Sequence, residues 1–281
     1  MAEISGNFSN HVQSVREFYN THTLDFLKVY GEVIQAFRTQ DVDDYLHYTF
    51  DSLGMNDGEI WLDAGCGVAG PASYFARQLP NLRIEAISIS EDQINRATER
   101  LSDRPESHQI HLQQMDYHQL AFENQSFDGV YFLESFGHSD SQTHLIQEAI
   151  RVLKPGGKLY IKDLFRRLHK NEWAQLRIDQ LIHEINQAYA YHVCSLSEIL
   201  DTLRLEGMHI QFVREPIVDP KTFEQLSISN AFQEATGIGK ISSWDQYIFP
   251  IEFFEVLATK PIPMEAEKFH LYSKNQAFSH E

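Results

Sequence analysis

Four short stretches of the sequence concentrate residues able to do chemistry. In Leu62-Asp63-Ala64-Gly65-Cys66-Gly67-Val68-Ala69-Gly70-Pro71 an acid precedes a G-x-G-x-x-G run that joins an apolar segment to a helical one. Glycines there remove the Cβ obstruction and let a cofactor approach the backbone. The run also fits a dinucleotide site. Asp63, two residues before the first glycine, and Pro71, which removes a backbone donor a pyrophosphate would use, instead suit a cationic aminoacyl group. Ala86-Ile87-Ser88-Ile89-Ser90-Glu91-Asp92-Gln93 places Ser88 where a dinucleotide enzyme carries an acid for the ribose. Ser90-x-x-Gln93 is also a capping box. Met115-Asp116-Tyr117 brings an acid and an aromatic together after a third apolar segment. Leu133-Glu134-Ser135-Phe136-Gly137-His138-Ser139-Asp140 follows a fourth. Glu134 there can remove a proton or stabilise a developing cation, and His138 offers an imidazole whose ordinary titration lies close to working pH. Asp140 and Ser141 also suit plain helix caps.

These stretches need a scaffold that brings them to one edge, and the pattern supplies it. Strands are predicted over Ile60 to Leu62, Arg83 to Ile89, Ile110 to Met115, Phe127 to Leu133 and Lys158 to Asp163. Helices are predicted over Pro71 to Leu79 and Ser90 to Leu101, and over a segment with the apolar face Leu145, Ile146, Ala149, Ile150 and Leu153 that ends at Lys154-Pro155-Gly156-Gly157. Such alternation implies an α/β fold with a mostly parallel sheet covered on both faces, whose carboxyl edge carries ligands. Residues 1–50 read as an N-terminal helical lid through Phe18, Leu24, Phe26, Leu27, Tyr30, Ile34 and Phe37, and residues 51–260 as the main domain. Within it Leu168 to Tyr191 forms a helical cap (about 166–195), Ser195 to Met208 a further helix with Ser195 or Ser197 as cap, and His209 to Arg214 and Ile248 to Ala258 the last strands. Asp219-Pro220 opens an insertion to about 245, and 261–281 is a polar tail.

Taken together, D-x-G-x-G after the first strand resembles the cofactor loop of class I S-adenosylmethionine-dependent methyltransferases. Ala86 to Gln93 is similar to the "G-[IV]-T-[LI]-S-x-x-Q" segment of cyclopropane fatty acid synthases, sterol and tocopherol methyltransferases and prenyl diphosphate C-methyltransferases. Phe18-Tyr19-Asn20 through Tyr30-Gly31 resembles the "FYD-x₅-W-x₃-WG" entry of tocopherol-type enzymes, departing from it at Asn20, Phe26 and Tyr30. Glu134-Ser135-x₂-His138 resembles the "ES-x₂-H" segment of the same enzymes. The resemblance spans Phe18 to Asp163 and implies a Rossmann-like, seven-stranded, mostly parallel sheet. It implies S-adenosylmethionine held by Tyr19, Tyr30, Asp63, Gly65, Gly67, Ser88, Ile89, Gln93, Asp116, Tyr117 and Leu133, with Glu134 and His138 as catalytic candidates and no metal ligand placed. Ser88 and Gln93 would serve the ribose, Asp116 and Tyr117 the adenine, and the two lid tyrosines the methionine part. Aromatic faces attract a sulfonium by about 0.5–2 kcal/mol. Phe136-Gly137-His138 departs from the "FEH" of the cyclopropane branch, which disfavours that chemistry.

Composition narrows the partners. The 281-residue chain carries a formal charge of −17, which argues against nucleic acid and against anionic membrane surfaces as main partners, though a local basic patch remains compatible with it. Only Cys66 and Cys194 occur, so no disulfide framework is offered and a reducing cytoplasm is the expected setting. No apolar run suits a signal peptide or a membrane span. Trp173, Tyr189, Tyr191, Phe223, Phe232, Trp244, Tyr247, Phe249 and Phe253 supply an aromatic environment that suits a small apolar acceptor and equally a packed core. The expectation is a small-molecule methyltransferase, with C-, O- and N-methylation and a need for Mg²⁺ left open; ligands for a diphosphate are not placed, and Arg166, Arg167 and Lys170, the one local cationic cluster, read rather as solvated surface. A homo-oligomer is compatible with the sequence. The alternatives are an NAD(P)-dependent oxidoreductase, disfavoured by Ser88, and a catalytically inactive methyltransferase-like subunit.

Overall fold

The computed structural model describes residues 10–39, 41–216, 229–241 and 247–263. Phe8, Asp219, Pro220, Phe223, Trp244 and most of the polar tail lie outside them, as does the side chain of Phe37. The chain runs α1 (Asn10–Tyr30), a 3₁₀ turn (Ile34–Arg38), α2 (Val42–Leu53), β1 (Ile60–Ala64), α3 (Gly70–Gln78), β2 (Arg83–Ser88), α4 (Glu91–Leu101), β3 (Ile110–Gln114), β4 (Phe127–Leu133), α5 (Gln142–Val152), β5 (Leu153–Arg166), α6 (Glu172–Tyr189), α7 (Leu196–Leu205), β6 (His209–Arg214), α8 (Ala231–Thr236) and β7 (Ile251–Thr259). These strands form one seven-stranded sheet in the order β3-β2-β1-β4-β5-β7-β6, with β7 antiparallel to both its neighbours and the other pairs parallel.

Strand residues alternate between the two faces, and the core divides accordingly. Trp61, Tyr131 and Tyr160 pack with Phe75 of α3, Ala97 of α4 and Tyr45 and Leu46 of α2 on one face. Leu62, Val130, Phe132 and Ile161 pack with Leu145, Ile146 and Ala149 of α5 and with Ile199 and Leu203 of α7 on the other. Helix α1 buries Val12, Val15, Thr23 and Phe26 along one stripe, and its Tyr19 reaches His138 in the segment after β4, so it lies against the carboxyl edge of the sheet.

Three sequence expectations need correction. The fifth strand extends well beyond Lys158–Asp163, because Leu153 pairs with Phe127 and Leu164 to Arg166 pair with β7; Lys154 to Gly157 therefore lie inside it. Helix α6 begins at Glu172, since the Asn171 side chain accepts the Ala174 N–H at 3.0 Å and fixes the start there. The capping box at Ser90 is half formed. Ser90 accepts the Gln93 N–H at 3.2 Å, while its own N–H goes to Ser88 Oγ at 3.1 Å, leaving the Gln93 side chain for another partner. The complete box is at Asn230 and Gln233, where it starts α8 within the insertion.

Gly129 of β4 faces the fully buried Trp61, and a Cβ there would come within 2.3 Å of the indole ring. Gly129→Ala is expected to lower the unfolding free energy by about 1–3 kcal/mol, the usual cost of overpacking. Urea denaturation monitored by circular dichroism measures it.

Candidate active site

The ends of β1, β2, β4 and β5 open into one cavity of about 580 Å³. Two glycines give the loop after β1 its course, with φ of +109° at Gly65 and +55° at Gly67. The N–H groups of Gly65 and Cys66 both donate to the Ile87 carbonyl, at 3.0 and 2.9 Å, which pins the loop to β2. The glycines differ in what they face. A Cβ on Gly65 would fall 2.4 Å from Ser135 Cβ, whereas one on Gly67 meets only Gln93 Nε2, at 3.9 Å. Gly65 therefore serves the contact between β1 and β4, which corrects the expectation that its side-chain space belongs to a cofactor; Gly67 keeps the cavity clear. At Gly70 a Cβ would meet the Glu32 carbonyl at 2.2 Å, so the third glycine lets the chain after α1 lie on α3.

Every residue that the sequence proposed borders this cavity: Tyr19, Tyr30, Asp63, Gly65, Gly67, Ser88, Ile89, Gln93, Asp116, Tyr117, Leu133, Glu134 and His138. Asp63 is 3% exposed at the end of β1, and no cation among the described residues pairs with it. Burial pushes its carboxyl up to about 7, with the Tyr131 hydroxyl acting in the other direction. Ser88 Oγ donates to Gln93 Oε1 at 2.6 Å, which turns the carboxamide toward the glycine loop. Asp116 Oδ1 accepts the His118 N–H at 2.9 Å and lies 2.8 Å from the His118 ring nitrogen, so this acid also holds its own turn. Tyr117 donates to the Ser135 carbonyl at 3.2 Å. Asn20, a departure from the lid pattern, accepts the Ser90 hydroxyl at 2.6 Å and ties α1 to the head of α4.

Glu134 has a left-handed backbone, φ +55°, with its N–H on the Lys162 carbonyl at 2.8 Å. A non-glycine residue in that region stores about 1–3 kcal/mol and persists where its surroundings determine it. Next to it, Ser135 Oγ donates to the Ala64 carbonyl at 2.6 Å. Glu134 thereby leaves the strand pleat and borders the cavity.

His138 differs from its sequence expectation. Its Nδ1 lies 2.9 Å from the Ala190 carbonyl, which can only accept, so Nδ1 carries the hydrogen. Nε2, 2.7 Å from Tyr19 Oη, then accepts the phenol hydrogen. Burial pushes the imidazole down to about 4, and His11 adds to this while the Ala190 carbonyl opposes it. Its lone pair is thus occupied, and the ring joins the lid helix to the β4 loop. Tyr30 is also used differently, because its hydroxyl accepts the Phe232 N–H at 3.2 Å and seats α8. Ser195, expected as a cap, makes no such bond and pairs with Ser197 Oγ at 2.7 Å.

One residue that sequence reasoning did not assign to the site supports its wall through Tyr191 and Gly137. Asp163, fully buried near the end of β5, accepts the Tyr191 hydroxyl, the Gly137 N–H at 3.1 Å and the Leu164 N–H at 2.7 Å. Burial pushes it up to about 7, and the charge of Glu134 adds to this against those hydrogen bonds. An acid near the carboxyl end of a central strand was its available signal. Beyond Glu134 the cavity is aromatic. Phe26 stacks on Phe232 at 4.1 Å, and Phe18 packs edge-on to Tyr189 at 6.1 Å. Arg177 and Lys240, the described lysine and arginine side chains bordering the cavity, face Glu184 at 4.0 Å and Glu234 at 2.6 Å.

A seven-stranded sheet in this order, with a glycine turn after β1 and acids at its carboxyl edge, defines the class I methyltransferase fold. Residues 62–161 match the family model described as a methyltransferase domain. A sterol 24-C-methyltransferase of Gibberella zeae is 37% identical over 111 residues, 40% of this chain and 29% of that protein. A 27-O-demethylrifamycin SV methyltransferase of Amycolatopsis mediterranei is 36% identical over 111 residues, 40% of each chain. Both alignments thus span well under half of those relatives. The structure of geranyl diphosphate C-methyltransferase from Streptomyces coelicolor superposes with a TM-score of 0.68 at 15% identity, covering 91% of this chain and all of that one.

Gly67→Val is expected to abolish S-adenosylhomocysteine binding in calorimetry while the melting temperature holds, and Gly65→Val to lower the melting temperature itself. The His138 ring is expected to titrate near 4 in a histidine-resolved NMR experiment, far below its ordinary 6.5. An unfolded chain holds more protons than the native one between these values. The stability contributed by the neutral ring is therefore complete above pH 6.5 and is lost as pH falls toward 4.

Proposed function

We propose that this protein transfers a methyl group from S-adenosylmethionine to a small, largely apolar and uncharged acceptor, of isoprenoid-like or other specialised-metabolite type. One observation carries the reading: the glycine-loop end and the aromatic end are parts of a single cavity, with Glu134 bordering it between them. The residues suit the cofactor, because a buried acid without a cationic partner, an open face at Gly67 and polar groups at Ser88, Gln93 and Asp116 match its charged and hydroxyl-bearing parts. In this reading Asp63 and Gly67 hold the aminoacyl part, Ser88, Ile89 and Gln93 the ribose, Asp116, Tyr117 and Leu133 the adenine, and Tyr19 and Tyr30 close the lid. Bound there, S-adenosylmethionine supplies an electrophilic methyl on a sulfonium.

The protein's own part is alignment and proton control. Tyr19 and His138 keep α1 against the β4 loop and exclude water. Glu134 accepts a proton from the acceptor or faces the positive charge that develops on it. Its left-handed backbone fixes its place without loop flexibility. A diphosphate acceptor is disfavoured, since Arg177 and Lys240 already face acids and Arg166 and Arg167 face Asp179 and Glu252. A reducing, cytoplasmic setting belongs to the proposal and is supported by two buried free thiols, Cys66 and Cys194. Ser88 in place of a ribose acid and the methyltransferase-domain match over 62–161 leave the oxidoreductase alternative without support.

Glu134→Gln is expected to keep S-adenosylhomocysteine affinity and to lower turnover by about 10²–10⁴ in an acceptor screen with methyl-labelled cofactor. Loss of affinity with turnover retained at saturation would place Glu134 among the cofactor contacts instead.

A further inference from the structure

We propose that His118 is a positioning residue for the adenine end of the cavity: it fixes the Asp116 carboxylate with one oxygen left as an acceptor, which selects a 6-amino purine over its 6-oxo counterpart. The proposal rests on the reading of this cavity as an S-adenosylmethionine site and adds what sets its base preference. Asp116 and His118 both border the cavity. Their side chains are largely buried, 11 and 10% exposed.

The hydrogen bonds run in one direction. Asp116 Oδ1 takes the His118 backbone N–H at 2.9 Å and lies 2.8 Å from Nδ1 of the same residue. A carboxylate can only accept, so Nδ1 carries the hydrogen. In the neutral ring Nε2 is then the acceptor, and it meets Ser139 Oγ at 2.8 Å. Ser139 donates its hydroxyl there while accepting the Ser141 N–H at 3.0 Å, which secures it at the head of α5. From α5 itself, His144 Nε2 lies 2.9 Å from the His118 carbonyl, and the two rings are parallel with centroids 6.3 Å apart. The ring and the backbone of His118 are thus both held from the start of α5.

A serine, an imidazole and a carboxylate in this order also make an acyl-transfer triad. Burial excludes that use, because Ser139 is 0% exposed and does not border the cavity, so no carbonyl substrate reaches its Oγ. What the chain of bonds controls is Asp116. The backbone bond is one that any residue at 118 would allow; the imidazole adds a second on the same oxygen. No donor among the described residues reaches Oδ2, which is therefore the oxygen left for a ligand. Exchanging the two oxygens would break both bonds. An acceptor fixed in this way gains a bond from a 6-amino group, whereas a 6-oxo group would set two acceptors against each other. A site built for one N–H rejects the ligand that lacks it, because its own polar group is left unpaired. A freer carboxylate would swing toward the N1 hydrogen of a 6-oxo purine, and the preference would fade.

The test is calorimetry of the full chain with S-adenosylhomocysteine and S-inosylhomocysteine. The native protein is expected to favour the 6-amino ligand by about 10–100-fold, the range for one unmatched buried hydrogen bond. H118L should lower that ratio by about fivefold or more, the loss of a bond to a charged group, while H118N, whose amide can still donate to Oδ1, should keep it. Both variants lose the Ser139 contact, so a purely structural role would move them together. D116N is the sharpest arm. With His118 donating to the carboxamide oxygen, the NH₂ group takes the place of Oδ2, and the preference should invert toward S-inosylhomocysteine. Nitrogen-resolved NMR of the native protein should show His118 as the Nδ1–H tautomer, assigned by the loss of its signal in H118N. The proposal is overturned, with S-adenosylhomocysteine binding intact, by an unchanged ratio in H118L or an equal fall in H118L and H118N. A D116N protein that still favours the 6-amino ligand, or an Nε2–H tautomer, overturns it too. A native protein that binds neither nucleoside overturns the functional reading and this proposal with it.

Discussion

The contact between Gly65 and Ser135 is the constraint on which the rest of the site depends. With no side chain at 65, Ser135 can press against the β1 turn and donate to the Ala64 carbonyl. That bond continues the pairing of β1 with β4 past the strand ends, with the left-handed Glu134 next to it. Asp63, Glu134 and Asp163 then share one sheet edge, although 71 residues separate Asp63 from Glu134 along the chain. Such an edge is where parallel sheets expose their ligand sites, because the connections leave it open.

Electrostatics follow from this geometry. Three ionisable groups at the edge are held away from their ordinary behaviour, Asp63 and Asp163 upward and His138 downward, and burial is the first cause for each. All three shifts favour the neutral form, so the free site carries less charge than its composition suggests. A cation entering beside Asp63 would restore its ionised form. This couples recognition of a cationic cofactor to proton release, whereas a neutral dinucleotide portion would gain nothing from the same acid.

Lid and insertion act as one cover. Tyr19 reaches His138, Tyr30 seats the start of α8, and Phe26 stacks on Phe232, so α1 and α8 close over the aromatic end together. Tyr191, from the turn after α6, fills the space above Gly137, where a Cβ would come within 2.0 Å of its ring. Aromatic residues that composition counts as core or cofactor contacts thereby divide into those that join elements and those that border the acceptor space.

Much of this was legible in the sequence. The β/α alternation, the glycine loop, Glu134 after the fourth strand and a helical lid all follow from short-range periodicity and spacing, because apolar side chains must reach one face of each element. The cavity-lining set was readable too, since each member ends a strand or begins the lid. Tertiary structure alone decided how those residues are used. Gly65 serves a strand contact because Ser135 happens to face it, Gln93 turns to Ser88 because the Ser88 hydroxyl already satisfies the Ser90 N–H, and Tyr30 supports a helix from some two hundred residues away. His138 loses its ordinary titration through burial, and the bond from Tyr19 occupies its Nε2; local sequence encodes neither. Periodicity reports which side of an element faces inward; what a side chain meets there depends on partners distant in the chain, and only packing brings those together.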